Sequence, residues 1–474
     1  MEVLTLMKQK VKIVARTVEA PVDGLIKDSV SFDRDIMRDE AIILSGKAAG
    51  ICYMPDDYLS NGIQNDVTAK KRAAGNTKSG HYSVFEHAHF SFVIETSKAM
   101  AMVLNSTKLY STSEKSGRYT SMNPETDIEK KYYDKWTEKL TGIIKDTYGD
   151  NYTDKEAHKL ALENARYFLS VFTPTVMMFT LPFNRVILLC EWLDKLSDII
   201  EKSKDNCEIC KEDKTNYNYY SRISREAVEL AAAFRESLNL SKEEPILVDH
   251  KDIGINFYKY RSLSAKKEFI KSTLNLQHID KLGLLVRNNW IIDNMYSYNA
   301  VYTFACLAQE QRHRTIDYTI YGICEGKFYT PSILQKEEDK KEWQSDMKDL
   351  YENSDVVCQG TLICVEEKGI FDNFYLKCKE RVCMRAQKEI MDITVNQIKY
   401  FFNELKYFET ERHNSHAGII EPLDQLNKAR LLSMIDTKST EDEILVLPRC
   451  MWKEYKCKEA CTHVSYECTK NRLI

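Results

Sequence analysis

Apolar and polar residues alternate in some segments of the chain and recur three and four positions apart in others. Alternation is typical of half-buried strands and predicts them at residues 11–18, in the segment that ends in Phe90 and Phe92, and at residues 171–185. Helical spacing predicts helices at residues 37–51, 129–148, 155–169, 227–238, 298–311 and 381–390. The mixture of the two patterns predicts an α+β fold.

Polar stretches separate these elements. Residues 55–79 are polar and contain glycine, which predicts a loop, and residues 257–289 are interpreted as helical or mixed. The sequence S-K-E-E-P at residues 241–245 indicates a domain boundary. We expect two domains, each with a β-sheet packed against long helices, and a cysteine-rich tail, over residues 1–240, 241–435 and 436–474.

Length and composition agree with more than one buried core. The chain has 474 residues, 43% of them hydrophobic, and a formal net charge of −4. Because no polybasic tract stands out, a nucleic acid partner is not expected. The chain also lacks an apolar signal core and a run of about 18 apolar residues, so we expect a soluble cytoplasmic protein without a membrane partner. Most of the 14 cysteines stand singly in apolar surroundings, as buried reduced thiols do.

The candidate chemistry is concentrated at residues 79–119. The first part, S-G-H-Y-S-V-F-E-H, brings together His81, Ser83, Glu86 and His87. The last part, S-T-S-E-K-S-G-R-Y, is interpreted as a hydroxyl-rich turn after a helix. Its Ser116 hydroxyl, Gly117 amide and Arg118 guanidinium all donate hydrogen bonds and suit an anionic ligand. Glu114 suits a ligand that also has N–H groups, as a pyrimidine ring does.

This order of motifs resembles the flavin-dependent thymidylate synthases. Those enzymes carry G-H-x-(S/T)-P-F-E-H and then R-H-R-x-x-S-x-N-E-x-S-x-R-Y at the same separation. Here Ser106, Thr107 and Lys108 stand where the family has Arg-His-Arg, and Ser113 stands where it has asparagine. E-N-A-R-Y-F-L at residues 163–169 is similar to the family's E-x-A-R-x-x-L-P. Val176 aligns with a substrate-binding arginine of the family and indicates its loss.

The second half contains what the first half lacks. The triplet Arg312, His313 and Arg314 occurs there, with Gln309 three residues before it as in the family. R-V-C-M-R-A-Q-K-E-I at residues 381–390 resembles the family's L-R-A-D-S-H-A-Q-W-E-I. In contrast, the positions of the family's glutamate, serine and arginine are occupied by Ile320, Gly322 and Cys324.

The complementary losses predict two tandem synthase-like copies that form a pseudo-dimer with one composite site. Because the family is tetrameric with sites between subunits, the resemblance implies a homodimer of this chain that forms a pseudo-tetramer. It also implies reductive methylation of dUMP at C5, with methylenetetrahydrofolate as carbon donor, FAD as cofactor and NADPH as reductant. Folate and a dUMP-like nucleotide are then the small-molecule partners.

The resemblance also implies roles for individual residues. The expected catalytic residues are Arg312, Glu114 and Arg118. The expected substrate-binding residues are Glu114, Lys115, Ser116, Gly117, Arg118, Gln309 and Arg381. The expected cofactor-binding residues are His81, Ser83, Glu86, Arg312, His313, Arg314 and Arg385. Arg312 would stabilise negative charge on the uracil as C5 becomes nucleophilic.

Other interpretations stay open at this point. A lone histidine is more often a hydrogen-bonded core residue than a ligand, and an arginine-rich triplet often ends a solvated helix. The alternatives for function are one-carbon modification of another pyrimidine nucleotide, or a noncatalytic relative that binds nucleotide or flavin.

Cysteine clusters suggest two weaker metal sites. Cys207 and Cys210 form a C-x-x-C pair in a charged insertion at residues 203–220, and exposed loop thiols are the alternative there. In the tail, four thiolates could bind zinc, although their spacing is irregular for a zinc finger. These tail residues are Cys450, Cys457, Cys461 and Cys468.

Overall fold

The computed structural model describes residues 9–18, 31–51, 65–107, 110–118, 120–206, 214–244, 273–274, 295–414, 425–440, 443–453, 455 and 467–474. Contacts group the chain into two compact units. The first comprises Met1–Ser116 and Val171–Phe257, and the second comprises Gly117–Ser170 and Tyr258–Ile474. The predicted division at residues 240 and 435 follows the sequence repeat, whereas this grouping assigns residues 117–170 to the second unit. That division stays a prediction.

The described residues form strands and helices in both units. The strands are β1 (Lys10–Arg16), β2 (His89–Ser97), β3 (Ser111–Glu114), β4 (Pro174–Pro182), β5 (Thr273–Leu274), β6 (Met295–Thr303), β7 (Asp317–Phe328) and β8 (Thr361–Ile370). The helices are α1 (Arg34–Ile51), α2 (Asp66–Ser79), α3 (Lys98–Asn105), α4 (Asp127–Tyr148), α5 (Asp154–Ala165), α6 (Phe183–Asn206), α7 (Lys214–Leu238), α8 (Phe304–Glu310), α9 (Glu337–Asn353), α10 (Phe371–Arg381), α11 (Lys388–Asn414), α12 (Gln425–Ser433) and α13 (Glu467–Lys470). The predicted α+β class is confirmed.

Each unit has one antiparallel sheet, and the two sheets have the same strand order. The first sheet is ordered β1-β2-β4-β3 and the second β5-β6-β8-β7. In both, a strand leads directly into a short helix and then into the edge strand, and the next strand returns to the centre of the sheet. The predicted strands at residues 11–18 and 171–185 are confirmed by β1 and β4.

The same capping arrangement joins strand and helix in each unit. Ser97 ends β2 and caps α3 by accepting from the Met100 amide, and its hydroxyl donates to Glu226. Thr303 ends β6 and caps α8 by accepting from the Cys306 amide, and its hydroxyl donates to Glu389, at 2.9 Å. A hydroxyl at this position satisfies a helix amide that would otherwise lack a partner.

Aromatic residues dominate both cores. In the first unit Phe90, Phe92 and Ile94 face inward from β2, and Phe92 packs edge-on against Phe234 of α7 with ring centroids 5.1 Å apart. In the second unit Trp343 of α9 packs edge-on against Trp136 of α4, at 4.9 Å. The predicted helices at residues 37–51, 129–148, 155–169 and 227–238 are confirmed by α1, α4, α5 and α7.

Three local predictions were wrong. Residues 66–79 of the predicted loop form α2, which Asn65 caps by accepting from the amides of Val67 and Thr68. The predicted helix at residues 298–311 is β6 followed by the short α8, because an unbroken register of pairs with β8 stabilises the extended form up to the Thr303 cap. The hydroxyl-rich segment 111–114 is not a turn but the edge strand β3.

The helix predicted at residues 381–390 is also interrupted. α10 ends at Arg381 and α11 begins at Lys388, so Arg385 lies in the turn between them and not one helical turn from Arg381. Residues 257–272 and 275–289 and the insertion's Cys207 and Cys210 lie outside the described residues. Within the described ranges, no helix combines the length and the apolar character needed to cross a bilayer.

Candidate functional site

The G-H-x-S-x-F-E-H motif lies between α2 and the start of β2 in the first unit. α2 ends at Gly80, whose φ of 78° is the left-handed conformation that glycine adopts without strain. His81 follows, and Ser83–Glu86 forms a single 3₁₀ turn. The side chains of His81, Ser83 and Glu86 are exposed, whereas Phe85 is buried. The local fold therefore anchors the turn through its phenylalanine and leaves the predicted cofactor ligands accessible.

An open cavity of about 370 Å³ adjoins this turn. Its lining residues are Glu86, His89, Tyr110, Ser111, Thr180, Pro182 and Arg185. Arg185 Nη2 donates to Glu86 Oε1 at 3.0 Å. The Nη1 atom of Arg185 is buried and has no hydrogen-bond partner among the described residues. The cavity thus offers a carboxylate, hydroxyls and an unsatisfied cationic donor to a polar ligand.

Glu114 is positioned by a lysine that the sequence motif did not include. Lys98, the first residue of α3, donates from Nζ to Glu114 Oε1 and to the Lys115 carbonyl, both at 2.6 Å. Thr175 Oγ1 donates to the same carboxylate oxygen at 3.4 Å. Lys98 and Glu114 side chains are each 14% exposed, so the pair is largely shielded from solvent. Glu114, Lys115 and Ser116 belong to the first unit, and Gly117 and Arg118 to the second.

Arg118 is held by three hydrogen bonds within the second unit. Its Nε and Nη2 atoms donate to the two carboxylate oxygens of Glu163, at 2.9 and 3.3 Å, and Nη2 also donates to the Arg385 carbonyl at 2.8 Å. A bidentate pair of this kind fixes the plane of the guanidinium. Gly117 lies over Arg166, where a Cβ atom would meet its side chain at 3.7 Å.

A buried chain of hydrogen bonds connects this region to Gln309. Arg166 Nη2 donates to Gln387 Oε1 at 2.5 Å, and Gln309 Nε2 donates to the same oxygen. Gln387 in turn donates to the Tyr167 hydroxyl, which donates to Glu389 at 2.7 Å. Burial lowers the pKa of the Arg166 guanidinium and raises that of the Glu389 carboxyl. Residues from the two halves of the sequence therefore form one polar network inside the second unit.

Gln309 has one unsatisfied atom. Its Oε1 is buried and has no hydrogen-bond partner in the described part of the chain. A buried amide oxygen without a donor is costly, and a ligand N–H is one way to satisfy it.

His313 is fixed by Arg381. Arg381 Nε donates to His313 Nε2 at 3.0 Å, and Arg381 Nη2 donates to the Gln309 carbonyl at 3.0 Å. Burial, Arg381 and Lys377 together lower the pKa of His313 to about 2. His313 is therefore a neutral imidazole that accepts at Nε2 and carries its proton at Nδ1.

The other predicted cations lie at the surface of the second unit. Arg312 and Arg314 flank His313 in the turn between α8 and β7, and both are exposed. Arg385 is exposed in the turn between α10 and α11, and its carbonyl is the group that accepts from Arg118. Arg118, Gln309, His313 and the Arg385 backbone are thus joined through described hydrogen bonds and buried intermediates.

Several participants were missed by the sequence interpretation. Arg166 was visible as the arginine of E-N-A-R, and Gln387 as the glutamine of R-A-Q-K-E-I, but neither was assigned a role. Glu163 was visible as the glutamate of the same E-N-A-R segment and was likewise given no role, whereas Lys98 and Arg185 had no motif signal that would distinguish them from surface charges. Their roles depend on pairing across strands and helices, which single-sequence patterns do not report.

The predicted zinc ligands are only partly described. Cys450 is half-buried, whereas Cys457, Cys461 and the Cys468 side chain lie outside the described residues. Within the part of the chain that the structure covers, no group of three or more potential metal ligands occurs.

Comparison with known proteins finds a family similarity in the first half of the chain. Residues 37–191 match the family model of the thymidylate synthase complementing protein. No curated protein matches the chain. The match includes both motifs of the first half and the Arg166 segment, so the predicted family resemblance is confirmed there.

Two solved structures illustrate the similarity. One, described as a UMP/dUMP methylase PolB from Streptomyces cacaoi bound with 5-Br dUMP, is 14% identical over 40% of this chain and 78% of that chain, with a TM-score of 0.25. The other, described as a flavin-dependent thymidylate synthase ThyX from Helicobacter pylori complexed with FAD and dUMP, is 14% identical over 51% of this chain and 98% of that chain, with a TM-score of 0.27. Likeness at these scores says nothing about the reaction of this chain.

Proposed function

We propose that this chain, whose residues 37–191 match the thymidylate synthase complementing protein family, methylates a pyrimidine nucleotide reductively. The substrate is dUMP, methylated at C5, with methylenetetrahydrofolate as carbon donor, FAD as cofactor and NADPH as reductant. The observation that carries the proposal is the buried network that joins Arg118 and Arg166 of the matched segment to Gln309 and Gln387 of the second half.

A tandem duplication explains why the site groups are divided between the halves. The two sheets have the same strand order and the same capped strand-to-helix junction, at Ser97 and at Thr303. Counted from these caps, Arg312, His313 and Arg314 correspond to Ser106, Thr107 and Lys108, and Glu114 corresponds to Ile320. Each copy has kept groups that the other has lost, which supports one working site per chain.

The groups present fit FAD and a nucleotide. The cavity beside Glu86 and the exposed His81 and Ser83 supply polar ligands for the flavin, and the buried Nη1 of Arg185 supplies a donor for an anionic or carbonyl oxygen. Bound FAD would supply the reducing equivalents for the methylation. Arg312, His313, Arg314 and Arg385 complete the proposed cofactor-binding set.

The remaining residues bind and orient the substrate. Arg118, with Ser116, Lys115 and the Gly117 amide, holds the phosphate or ring, and Glu114 orients the nucleotide through its N–H groups. The buried Oε1 of Gln309 accepts from a ring N–H, which removes its unsatisfied state.

Arginine side chains provide the positive charge of the proposed site. Arg312 stabilises the negative charge that develops on the uracil. Arg381, proposed for nucleotide binding, also fixes Gln309 and His313 by hydrogen bonds to both. His313 accepts from Arg381 and stays neutral, so it orients ligands and does not supply a proton.

The first test measures tritium release from dUMP labelled at C5, with UMP as the competing substrate. We expect release only with dUMP, methylenetetrahydrofolate and NADPH, and a yellow protein that contains one FAD per chain. Tritium release from UMP labelled at C5, without release from labelled dUMP, would favour another pyrimidine nucleotide as the substrate. Colourless protein that binds neither FAD nor nucleotide would contradict the proposal.

The second test locates the site. Arg118→Ala and Arg312→Ala should each abolish turnover, whereas Arg34→Ala, at an exposed pair with Glu236, should not. Since Arg118 donates to the Arg385 carbonyl of its own chain, we propose that the site lies within one chain. Mixed samples of the two inactive variants should then stay inactive. Recovered activity would show that the site is shared between chains of a homodimer, and two FAD molecules per chain would contradict the composite site.

A further inference from the structure

A fully buried lysine lies beneath the Gln309 segment. Lys377 of α10 has no exposed side-chain surface, and its Nζ contacts Glu310 Oε1 at 2.9 Å, Glu367 Oε2 at 2.6 Å and Gln397 Oε1 at 2.9 Å. Both carboxylates are likewise fully buried. Two hydrogen bonds, to Glu367 and Gln397, and the ion pair with Glu310 therefore compensate the buried ammonium.

Both carboxylates also accept hydrogen bonds from neighbouring side chains. Glu367 accepts from the Tyr296 hydroxyl at 2.7 Å, the Tyr302 hydroxyl at 2.9 Å and the Gln397 amide at 2.9 Å. Glu310 accepts from the Tyr318 hydroxyl at 3.2 Å. The network connects β6, β7 and β8 of the sheet to helices α8, α10 and α11.

The corresponding positions of the first unit are apolar. Glu310 is the seventh residue of α8, and Leu104 is the seventh residue of α3. Lys377 is the seventh residue of α10, and Leu189 is the seventh of α6. Both leucines are buried.

The third charged residue, Glu367 on β8, also has an apolar counterpart in the first unit, Phe179 on β4. Glu367 pairs with Tyr298 across β6, and Phe179 pairs with Phe92 across β2. Phe179 is fully buried. The sheet and its helices can therefore be built without these charges, and the second unit has them for another reason.

Charged networks are a poor way to stabilise a core. Replacing a buried ion triad by apolar groups of similar size is often neutral or stabilising, because the charges no longer have to be desolvated. What a satisfied network supplies is a single geometry for the groups that it joins. The groups that this network joins are found at the end of α8 and on α10.

The network ends at the segment that carries the proposed ligands. Glu310 directly follows Gln309 at the end of α8. Lys377 lies one helical turn before Arg381 on α10, and Arg381 donates to the Gln309 carbonyl and to His313, both at 3.0 Å. Two cations of one helix thus hold the end of α8 and the turn after it.

We infer that Lys377, Glu310 and Glu367 form a positioning network that holds Gln309 and the turn 312–314 in the geometry in which Gln309 and Arg312 bind the nucleotide. The inference rests on the proposed function for the identity of that ligand. It assigns these residues no contact with substrate. The first unit, which has Ser106 and Thr107 in place of the cationic turn, has no need of the network.

A neutral triple variant separates positioning from folding. Glu310→Gln, Glu367→Gln and Lys377→Met together keep hydrogen-bonding groups opposite the tyrosines and remove all three charges. Lys377→Met alone would leave two buried carboxylates without a cation and is expected to unfold the unit. The matched control is Arg430→Met, which removes a half-buried ion pair with Asp372 at the other end of α10.

The measurements are the melting temperature, the Kd for dUMP and the hydrogen exchange of residues 304–314. For the triple variant we expect a melting temperature at or above that of the unmodified protein. We also expect faster exchange in that segment and dUMP binding weaker by about tenfold or more. The Arg430→Met control should leave exchange in the segment and dUMP affinity unchanged.

The outcomes distinguish the two proposals. A folded triple variant with unchanged exchange overturns the inference, whatever its dUMP affinity, and so does faster exchange with unchanged affinity. If the unmodified protein binds no dUMP, the proposed function fails, and the inference is judged by exchange alone. Weaker dUMP binding by the Arg430→Met control would show that any loss of an ion pair on α10 has this effect, which also overturns the inference.

Discussion

Glu129 makes the stability of the second unit depend on pH. It lies on the first turn of α4 and is fully buried, and its carboxylate accepts from the Ser170 amide at 2.9 Å and the Thr126 hydroxyl at 3.1 Å. Desolvation outweighs these hydrogen bonds and raises the pKa of Glu129 from 4.5 to about 7. The folded protein therefore keeps a proton that the unfolded chain loses.

The magnitude follows from the difference of about 2.5 pKa units. Below pH 4.5 Glu129 is protonated in both states and contributes nothing to the pH dependence. As the pH rises from about 4.5 to about 7, the unfolded chain binds fewer protons than the folded one, so the free energy of unfolding decreases. At about 1.4 kcal/mol per unit, the loss is about 3 kcal/mol, and it is complete above pH 7.

Glu129→Gln should remove this loss. The amide oxygen can accept from the Ser170 amide, and the amide nitrogen can donate to the Thr126 hydroxyl. We expect the variant to match the unmodified protein near pH 4 and to be more stable by about 3 kcal/mol at pH 8, measured by urea unfolding at each pH. Glu138→Gln, an exposed position on the same helix, is the control and should follow the unmodified protein. Parallel profiles for Glu129→Gln and the unmodified protein would refute the reasoning.

Two further predictions concern the helix pair of the first unit and the histidine of the candidate site. A Cβ atom at Gly46 of α1 would lie 1.9 Å from the Ala69 carbonyl oxygen of α2, so Gly46→Ala should destabilise by about 2 kcal/mol or more in thermal unfolding, whereas Gly75→Ala, with no atom within 4 Å, should not. Because the pKa of His313 is lowered to about 2, its ring should show no NMR titration between pH 5 and 8, and its contribution to stability is present above pH 6.5 and lost as the pH falls below it. A titration midpoint between pH 5 and 8 would mean that His313 does not sit in the buried site beside Arg381.

Local pattern was sufficient for much of the fold. The alternation in β1 and β4 and the amphipathic spacing of α4 and α5 reflect which face of each element is buried, and that information is present in the sequence. The local pattern was insufficient to predict the structure of residues 298–311, because this segment contains both a strand and a helix. The junction depends on the register with β8 and on the Thr303 cap, both of which are tertiary contacts.

In the candidate site, too, some residues could be predicted from the sequence and others depend on tertiary contacts. Arg118 and Gln309 could be selected from motif spacing, because the chemistry of a ligand demands particular groups at particular intervals. The roles of Lys98, Arg185 and Lys377 could not be predicted in this way, because each depends on a contact between different strands and helices. Sequence motifs therefore select residues proposed to contact a ligand and miss residues that hold them in place.

On the proposed duplication, the cost of an unpaired charge accounts for complementary losses in the two halves. The Lys98 and Glu114 pair of the first unit corresponds to Phe304 and Ile320 in the second, both buried and apolar. An ion pair that loses one member leaves an unpaired charge, which is costly where the pair is shielded from solvent. The other member is then under pressure to become apolar as well.

The second unit has charged residues at positions where the first unit has apolar ones. Its Lys377, Glu310 and Glu367 correspond to Leu189, Leu104 and Phe179 of the first unit. On the proposed duplication, the Lys377 cluster lies beside site groups that the second copy has kept, and the Lys98–Glu114 pair beside those that the first copy has kept. A cluster that no longer positions a ligand costs desolvation energy without a compensating benefit, so loss of a motif and loss of its supporting charges are expected to go together.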